Sequence, residues 1–434
     1  MRQNSRRIAI TGLGIISPCG LGWQAYWNAA LAGNSHVRFL DPGLSPSGFP
    51  VKLGAQIPGF DPFVFIKQRK SIKLMSREIQ LAVAASYLAI ADSGIRLEET
   101  DRTRFGIALG AGVINNELDE VGIAIRNSIG EDGKFQMKKF GAEGIKTMYP
   151  LWFLKYLPNM PACHISIAHG LSGPSNTITT SSAAGAQAIG EACGVIRRGD
   201  ADMMLAGSTD SKINAMGISR FNLLGLLSYQ NQVPEKAYRP FDRGHDGIIL
   251  GEGVGLVLLE EWEHAKKRGA SIYAELLGYG SASDYNYNPS KSEDTTGKRL
   301  AMSRALENAN TSPSEVEFVF ANGSGVPQED VQEVQAVSTL FGSSVSKLHV
   351  TGVKPITGHL VYGSAGVEIA AAVLSLHENV LPPLVNLENP ALDCELPFVK
   401  DRPKPCEAKT LLFNSFGFGG QNAALVLRKA EKKA

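Results

Sequence analysis

Three short segments of this chain combine a reactive side chain with small residues that leave the backbone accessible. The first is GPSNTITTSSAAG, residues 173–185, in which Ser182 follows a strand-like stretch and opens a helix of small residues. Backbone N–H groups converge at a helix start, and the helix dipole favours an anion there. Ser182 is therefore a candidate nucleophile. The alternative is that Ser181 and Ser182 only cap the helix.

The other two segments lie near the C-terminus. KPITGH, residues 354–359, contains Lys354 and His359, and NSFGFGGQN, residues 414–422, contains three glycines among two phenylalanines. A loop of that composition indicates a backbone that approaches another group closely. Taken alone, Lys354 is typical of a surface ion pair and His359 of a structural histidine. Together with the glycine loop, they favour a functional site.

The composition indicates a large folded protein. Of 434 residues, 44% are hydrophobic and 20% are charged, which favours a large core and argues against disorder. The net charge of +1, without a block of like charges, argues against nucleic acid as the main partner. His164 and His169 lie five positions apart, which is a poor metal pair, so we expect no metal and no other cofactor.

The cysteines and the apolar runs bear on the compartment. The cysteines are dispersed without a CxxC pair, which predicts free thiols in a reducing compartment. The N-terminal apolar run is too short for a signal peptide, and no stretch reaches the roughly 18 apolar residues of a membrane span. We expect a cytoplasmic protein without a membrane span. The five cysteines are Cys19, Cys163, Cys193, Cys394 and Cys406.

Short β-branched runs alternate with alanine-rich helical stretches along the chain. This alternation predicts an α/β fold with buried parallel strands. The predicted helices are Glu78–Ala91, Ala186–Arg197 and Gly366–His377. The predicted strands are Arg7–Thr11, Phe105–Leu109, Met203–Ala206, Gly255–Glu260, Phe318–Phe320, Leu348–Val350 and Ala424–Leu427.

The two halves of the chain echo each other. In each, a helix precedes a strand that ends in a glycine loop, and a later strand leads into a helix of small residues. Chance similarity between alanine-rich helices is the alternative, but the matched order of the units favours duplication. The first echo pairs Ser86–Ser93 and Phe105–Val113 with Ala301–Ala309 and Phe318–Val326, and the second pairs Ser181–Gly199 with Gly363–Asn379.

Further motifs between these segments extend the pattern over nearly the whole chain, in an order and spacing that resemble the elongating β-ketoacyl-(acyl carrier protein) synthases. The resemblance implies a thiolase-like, five-layered αβαβα fold built from two similar halves, residues 1–262 and 263–434. It also implies a dimer. The additional motifs are Asp200–Asp202, Arg239–Asp242, Asp246-Gly247 and Leu250–Gly253.

The resemblance implies roles for the site residues, with departures. The family's cysteine nucleophile falls on Ser182 and its first histidine on Asn322, while its lysine and second histidine are retained as Lys354 and His359. The N–H groups of Ser182 and Phe418 would form the oxyanion hole. The remaining implied residues would bind the phosphopantetheine arm or gate the acyl pocket; they are Ser324, Val326, Phe416, Phe418 and Gly419.

The departures put condensation in doubt. A cysteine attacks a thioester because part of it is thiolate near neutral pH, whereas a serine hydroxyl needs a positioned base. Asn322 can donate a hydrogen bond but cannot carry a proton to or from a substrate. Losing one general acid–base group typically costs about 10²–10⁴ in rate.

Two hypotheses about function follow. In the first, the chain is a non-condensing partner, similar to a chain-length factor, of a ketoacyl synthase that carries the cysteine. In the second, Ser182 is the nucleophile of an acyltransferase or malonyl decarboxylase, with His359 as its base; a weak condensing synthase is a further alternative. The implied partners are an acyl carrier protein and either a second copy of this chain or a cysteine-bearing paralogue.

Two surface features bear on these partners. Residues 114–160 break the repeated pattern and indicate an inserted cap, whose aromatic stretch Tyr149–Phe153 is expected to cover a subunit interface or an acyl pocket, or else to pack as ordinary core. An acidic carrier protein needs a basic entrance. The only nearby basic cluster comprises Lys67, Arg69, Lys70 and Lys73.

Overall fold

The structure is a computed structural model of the chain. It describes residues 6–45, 48–114, 116–285, 294–391, 393 and 396–431. Cys394 lies outside the described residues, and the other four cysteines are unpaired thiols.

Ten strands form the body of one large mixed sheet, and the two-residue strand Gly20–Leu21 pairs alongside the first of them. The strands predicted with bounds are all present, and the strand-like stretch before Ser182 forms Ser175–Ile178. Two further strands, Ala274–Ser283 and Thr410–Phe416, lie where no strand was predicted. The ten strands are β1 Ile8–Ser17, β2 Phe105–Gly110, β3 Ser175–Ile178, β4 Met203–Ser211, β5 Glu252–Glu261, β6 Ala274–Ser283, β7 Phe318–Phe320, β8 His349–Thr351, β9 Thr410–Phe416 and β10 Gln421–Lys429.

The helices cover both faces of the sheet and fill the space between its halves. Most end at a residue in the left-handed conformation, as glycine or asparagine allows. The longer helices are α1 Trp23–Ala32, α2 Arg77–Ser93, α3 Leu118–Arg126, α4 Met160–His169, α5 Ala184–Arg198, α6 Ala215–Leu223, α7 Trp262–Lys267, α8 Thr296–Ala309, α9 Pro327–Phe341 and α10 Ser364–Glu378.

The strand order shows the duplication. Across the first half it runs β1-β5-β4-β2-β3, and across the second it runs β6-β10-β9-β7-β8. If the five strands of each half are numbered along the chain, both halves have the spatial order first, fifth, fourth, second, third. The halves meet through a short antiparallel contact in which Ala9 and Ile10 of β1 oppose β6.

Three apolar cores hold five layers together. One core lies between α2 and the outer face of the first half-sheet, and another lies between α8, α9 and the outer face of the second. The largest core surrounds α5 and α10, which pack against each other in the middle layer. The predicted αβαβα arrangement of two similar halves is confirmed.

The structural repeat has a different register from the predicted one. The three-residue turn Ser181–Ala183 precedes α5, and the turn Val361–Gly363 precedes α10, so Ser181 corresponds to Val361 and not to Gly363. Each turn begins with a residue of positive φ, 54° at Ser181 and 50° at Val361. Ser182 and Tyr362 therefore occupy equivalent positions in the two halves.

The inserted cap folds as α3 followed by a series of short helical turns that end at Tyr156. Several of its large side chains lie in solvent, including Phe153 at 61% exposure and Met137 at 73%. Its apolar side chains line an open cleft of about 860 Å³, to which Met216 of α6 also contributes. This exposure excludes ordinary core packing for much of the cap.

Among the described residues, none of the helices combines the length and the apolar character needed to cross a bilayer.

Candidate active site

Ser182 lies in the turn before α5, and its side chain is fully buried. Its hydroxyl makes no hydrogen bond with the described residues, and α5 begins after Ala183 without a side-chain cap. The alternative that Ser182 caps the helix is therefore wrong. Its backbone carbonyl accepts a hydrogen bond from the hydroxyl of Ser415 at 2.8 Å, which fixes the turn against β9.

His359 is held on both sides by backbone hydrogen bonds. Its N–H donates to the carbonyl of Ile249 at 2.7 Å, and its carbonyl accepts from Gly251 N–H at 3.0 Å. Gly358, with φ of 73°, allows the close approach, because a Cβ there would lie 3.1 Å from the backbone of Gly251. The imidazole is completely buried.

The hydrogen bonds of His359 define its tautomer. The backbone N–H of Val361 donates to Nδ1 at 3.0 Å, so Nδ1 acts as an acceptor. Burial, together with the nearby Lys354 ammonium, holds the pKa of His359 well below its usual value, so the ring is neutral. A neutral imidazole whose Nδ1 accepts carries its proton on Nε2. His359 is thus a hydrogen-bond donor through Nε2, and that atom has no partner among the described residues.

Lys354 fixes the orientation of Asn322. Its ammonium donates to the backbone carbonyl of Asn322 and, at 3.3 Å, to the side-chain Oδ1, and it forms an ion pair with Glu368 at 2.9 Å. The same Oδ1 accepts from Phe416 N–H at 3.2 Å. With Oδ1 bound twice, the amide NH₂ of Asn322 is the group left to bind a ligand.

Two buried carboxylates, neither of which belongs to the predicted site residues, complete the site. Glu368 pairs with Lys354, and Glu333 accepts the backbone N–H groups of Asn322 and Gly323, each at 2.8 Å. Burial raises the pKa of both carboxyls. Glu368 interrupts the apolar run 365–376, and a lone acid in such a run indicates a buried ion pair.

The glycine loop is the turn of a hairpin between β9 and β10. A Cβ on Gly417 would lie 3.3 Å from the carbonyl of Thr180, so the turn passes close to the backbone before Ser182. The ring of Phe418 stacks on His359 with centroids 5.2 Å apart. Phe416 lies in the outer core of the second half, so only Phe418 is placed to cover His359. Gly419 completes the turn.

The predicted pantetheine-binding residues lie beside this hairpin. Ser324 is buried, and its hydroxyl donates to Asp330 at 3.3 Å and accepts from Val326 N–H at 3.1 Å. Val326 packs with Phe418 in a shared apolar group. The hydroxyl of Ser324 is thus engaged within the chain, and its contact with a pantetheine arm stays a prediction.

The hairpin brings the predicted site residues together. Ser415 binds the Ser182 carbonyl, Phe416 binds Asn322, and Phe418 covers His359. The result is a buried alcohol and two buried, neutral N–H donors arranged around one hairpin. Such donors stabilise a carbonyl oxygen or an oxyanion.

The match to known families covers both halves. The N-terminal domain of beta-ketoacyl synthases matches residues 5–265, and the C-terminal domain matches residues 273–388. The 3-oxoacyl-[acyl-carrier-protein] synthase 2 of Coxiella burnetii is 35% identical over 430 residues, which cover 98% of this chain and 99% of that protein. The chain belongs to the β-ketoacyl synthase family.

Solved structures agree with this assignment. A type II polyketide synthase acyl carrier protein in complex with its ketosynthase matches with a TM-score of 0.85 and 28% identity, over 99% of this chain and 100% of that chain. The ishigamide ketosynthase/chain length factor matches with a TM-score of 0.86 and 27% identity, over 98% and 100%. The fold is thus the thiolase-like ketosynthase fold.

Proposed function

We propose that this protein is a non-condensing ketoacyl synthase subunit, which binds thioesters of an acyl carrier protein and works beside a cysteine-bearing synthase. The observation that carries the proposal is the state of Ser182. Its hydroxyl is buried and has no hydrogen-bond partner among the described residues.

None of the described residues is hydrogen-bonded to this hydroxyl as a base. A serine attacks a carbonyl only when a neighbouring group takes its proton. The Nδ1 of His359 is occupied by Val361 N–H and its Nε2 carries the proton, so the ring donates in this arrangement. Lys354 is bound to Glu368 and Asn322, and Asn322 has no basic atom. These contacts argue against Ser182 as a nucleophile with His359 as its base.

The donor pair favours a second candidate function, malonyl-thioester decarboxylation. That reaction needs no nucleophile from the protein. The bond from the α-carbon to the carboxylate breaks, carbon dioxide leaves, and the electron pair forms an enolate that solvent protonates to an acetyl thioester. The N–H groups of Asn322 and His359 would stabilise the enolate oxygen.

The proposed partners rest on two surfaces. Lys67, Arg69, Lys70 and Lys73 are all exposed around the short helix Arg69–Ile72, and their charge suits an acidic carrier protein. Strand β3 ends the sheet, and its outer edge pairs with no other strand in the described part of the chain, which suits a second subunit. The proposal favours a cysteine-bearing paralogue as that subunit over a second copy of this chain. We expect the complex to form in the cytoplasm.

The test uses the purified chain with acyl- and malonyl-loaded carrier protein, and it follows both proteins by intact mass. We expect no acyl adduct on the chain and no ketoacyl product until a cysteine-bearing synthase from the same genome is added. An adduct that maps to Ser182 and disappears in Ser182→Ala contradicts the proposal, as does condensation by the chain alone.

The same experiment decides the second candidate. Decarboxylation converts malonyl-carrier protein to acetyl-carrier protein. We expect Ser182→Ala to retain this conversion and Asn322→Ala to lose it, because the amide of Asn322 would contact the enolate oxygen, whereas the reaction needs no group from Ser182.

A further inference from the structure

Tyr362 occupies the place in the second half that Ser182 occupies in the first. Both are the middle residue of a three-residue turn that begins with positive φ and leads into a fifteen-residue helix. The two turns pack against each other, and a Cβ on Gly185 of α5 would lie 3.0 Å from Cβ of Ala365. Tyr362 therefore lies close to the Ser182 turn and follows His359 by three residues.

The ring of Tyr362 fills space that a glycine leaves open. A Cβ on Gly112 would lie 2.1 Å from Cε2 of Tyr362, and a Cβ on Gly110 would lie 2.5 Å from the backbone nitrogen of Gly185. The segment 110–112 at the end of β2 thus contacts the start of the Ser182 helix and then the Tyr362 ring. The ring and the start of that helix therefore pack against the same short segment.

Buried charges hold the ring in place. The backbone N–H of Tyr362 donates to Asp210 at 3.1 Å, and the Lys212 ammonium lies 5.5 Å from the ring centroid. Lys212 is ion-paired with Asp210 and lies 4.0 Å from Glu78. These groups are almost fully buried, so the ring is anchored and is not a freely moving surface side chain.

Apolar side chains pack beside this ring, and the backbone next to it leads into the cap. On one side Tyr362 shares an apolar group with Phe418, which covers His359, and with Ile218 of α6. On the other side the chain runs from Gly112 into the cap, whose cleft is also lined by Met216 of α6. Helix α6 thus contributes both to the apolar group that contains Tyr362 and Phe418 and to the lining of the cap cleft.

We propose that Tyr362 limits the length of the acyl chain that the Ser182 site accepts. A short acyl group fits in front of the ring, whereas a long apolar chain must displace it to extend toward the cap cleft. The proposal rests on the proposed function, since it assumes that the site binds acyl thioesters. Tyr362 is a specificity-determining residue here and takes no part in chemistry.

The test uses S182C, which introduces a thiol that can report on binding. In each assay the acyl group moves from the sulfur of acyl-coenzyme A to the introduced sulfur, and coenzyme A leaves as its free thiol. Acetyl-, octanoyl- and palmitoyl-coenzyme A are compared by intact mass, with peptide mapping to exclude the native cysteines. The unsubstituted chain gives the background.

We expect acylation of S182C to fall at least about tenfold from acetyl to palmitoyl, as a pocket that rejects added methylenes would produce. Adding Tyr362→Gly should restore the long chains, whereas Tyr362→Phe, which keeps the ring, should preserve the fall. Thermal unfolding confirms that each variant is folded, and the ratio of long- to short-chain rates is a readout that simple destabilisation does not change selectively.

The outcomes separate the two proposals. If S182C takes no acyl group of any length, the thioester-binding function is wrong, and the role of Tyr362 falls with it. If S182C is acylated equally by all lengths, or if Tyr362→Gly leaves the length profile unchanged, the role of Tyr362 alone is overturned.

Discussion

At the scale of single residues, the site shows how hydrogen bonds decide what a side chain can do. The same histidine would be a base with a free Nδ1 and is a donor with Nδ1 occupied by Val361 N–H. The amide of Asn322 is oriented by Lys354 and Phe416 in the same way. What each side chain can do thus depends on these neighbours as well as on the identity of the residue.

Glu78 offers a test of buried charge away from the site. Its carboxyl lies beside Lys212 and Asp210, and burial raises its pKa from 4.5 to about 7. Between pH 4.5 and about pH 7, Glu78 keeps its proton in the folded protein and releases it in the unfolded chain. The stabilisation is therefore present at low pH and is lost as the pH rises through 7.

We expect Glu78→Gln to remove this dependence. Relative to the unsubstituted protein, its free energy of unfolding should rise by about 3 kcal/mol between pH 4.5 and pH 8, because a shift of one pKa unit corresponds to 1.36 kcal/mol. Urea unfolding at several pH values measures the difference. Glu307→Gln, on the exposed face of α8, is the control and should show no such change. Parallel pH curves for Glu78→Gln and the unsubstituted protein would refute this account.

At the scale of elements, the contact between the loop after β2 and the turn before α10 is tight enough to measure. We expect Gly112→Ala to destabilise the protein by about 1–3 kcal/mol, because the added methyl overlaps the Tyr362 ring. In the double variant with Tyr362→Ala, the cost should be smaller than the sum of the single costs.

Gly122 is the matched control for that experiment. It lies within α3, and a Cβ there meets nothing within 4 Å. Gly122→Ala should leave stability unchanged or raise it by up to about 1 kcal/mol through helix propensity. Denaturant unfolding gives all four values, and equal effects of the two glycine substitutions would show that the Tyr362 contact is not tight.

The elements that the sequence predicted are those with strong periodicity. The helix predicted over Glu78–Ala91 and the strand over Phe105–Leu109 agree with α2 and β2 to within a few residues. The short β3 was predicted only as a strand-like stretch without bounds, because Ser175–Ile178 has only one strongly apolar residue and gains its partner from the fold. The local sequence does not show which strand will pair with such a segment.

The main site residues could be predicted from the sequence, but the contacts that hold them in place could not. The motifs led to Ser182, Asn322, Lys354 and His359, but not to the carboxylates that hold two of them. The register of the repeat was misplaced by two residues because Gly363 and Ser364 resemble Ser181 and Ser182 in size. The true match of Ser182 with Tyr362 depends on a shared backbone angle, which side-chain similarity does not report.

At the scale of the whole molecule, the end strand β3 has a defined outer edge. Ile107 N–H donates to the Pro174 carbonyl and Ala111 N–H donates to the Ile178 carbonyl, so the even-numbered residues face β2. The backbone groups of Ser175 and Thr177 consequently face outward. The Thr177 N–H donates to the side chain of Asn176 at 2.8 Å, a bond that a partner strand would replace.

We expect Thr177→Pro to abolish subunit association, since proline removes the outward N–H. Thr177→Val keeps that group and is the control. Light scattering of the chain, alone and mixed with a cysteine-bearing paralogue, measures the mass, and circular dichroism checks the fold. Association that survives Thr177→Pro would place the interface elsewhere.

The paired turns also bear on how strain should be interpreted. A left-handed angle beside a reactive residue is often taken as stored energy for catalysis. Here the angle recurs at Val361, whose side chain has no chemistry, so the turn into a central helix demands it in both halves. A protein of this architecture would retain that angle after its reaction had been lost, and the geometry alone is no sign of turnover.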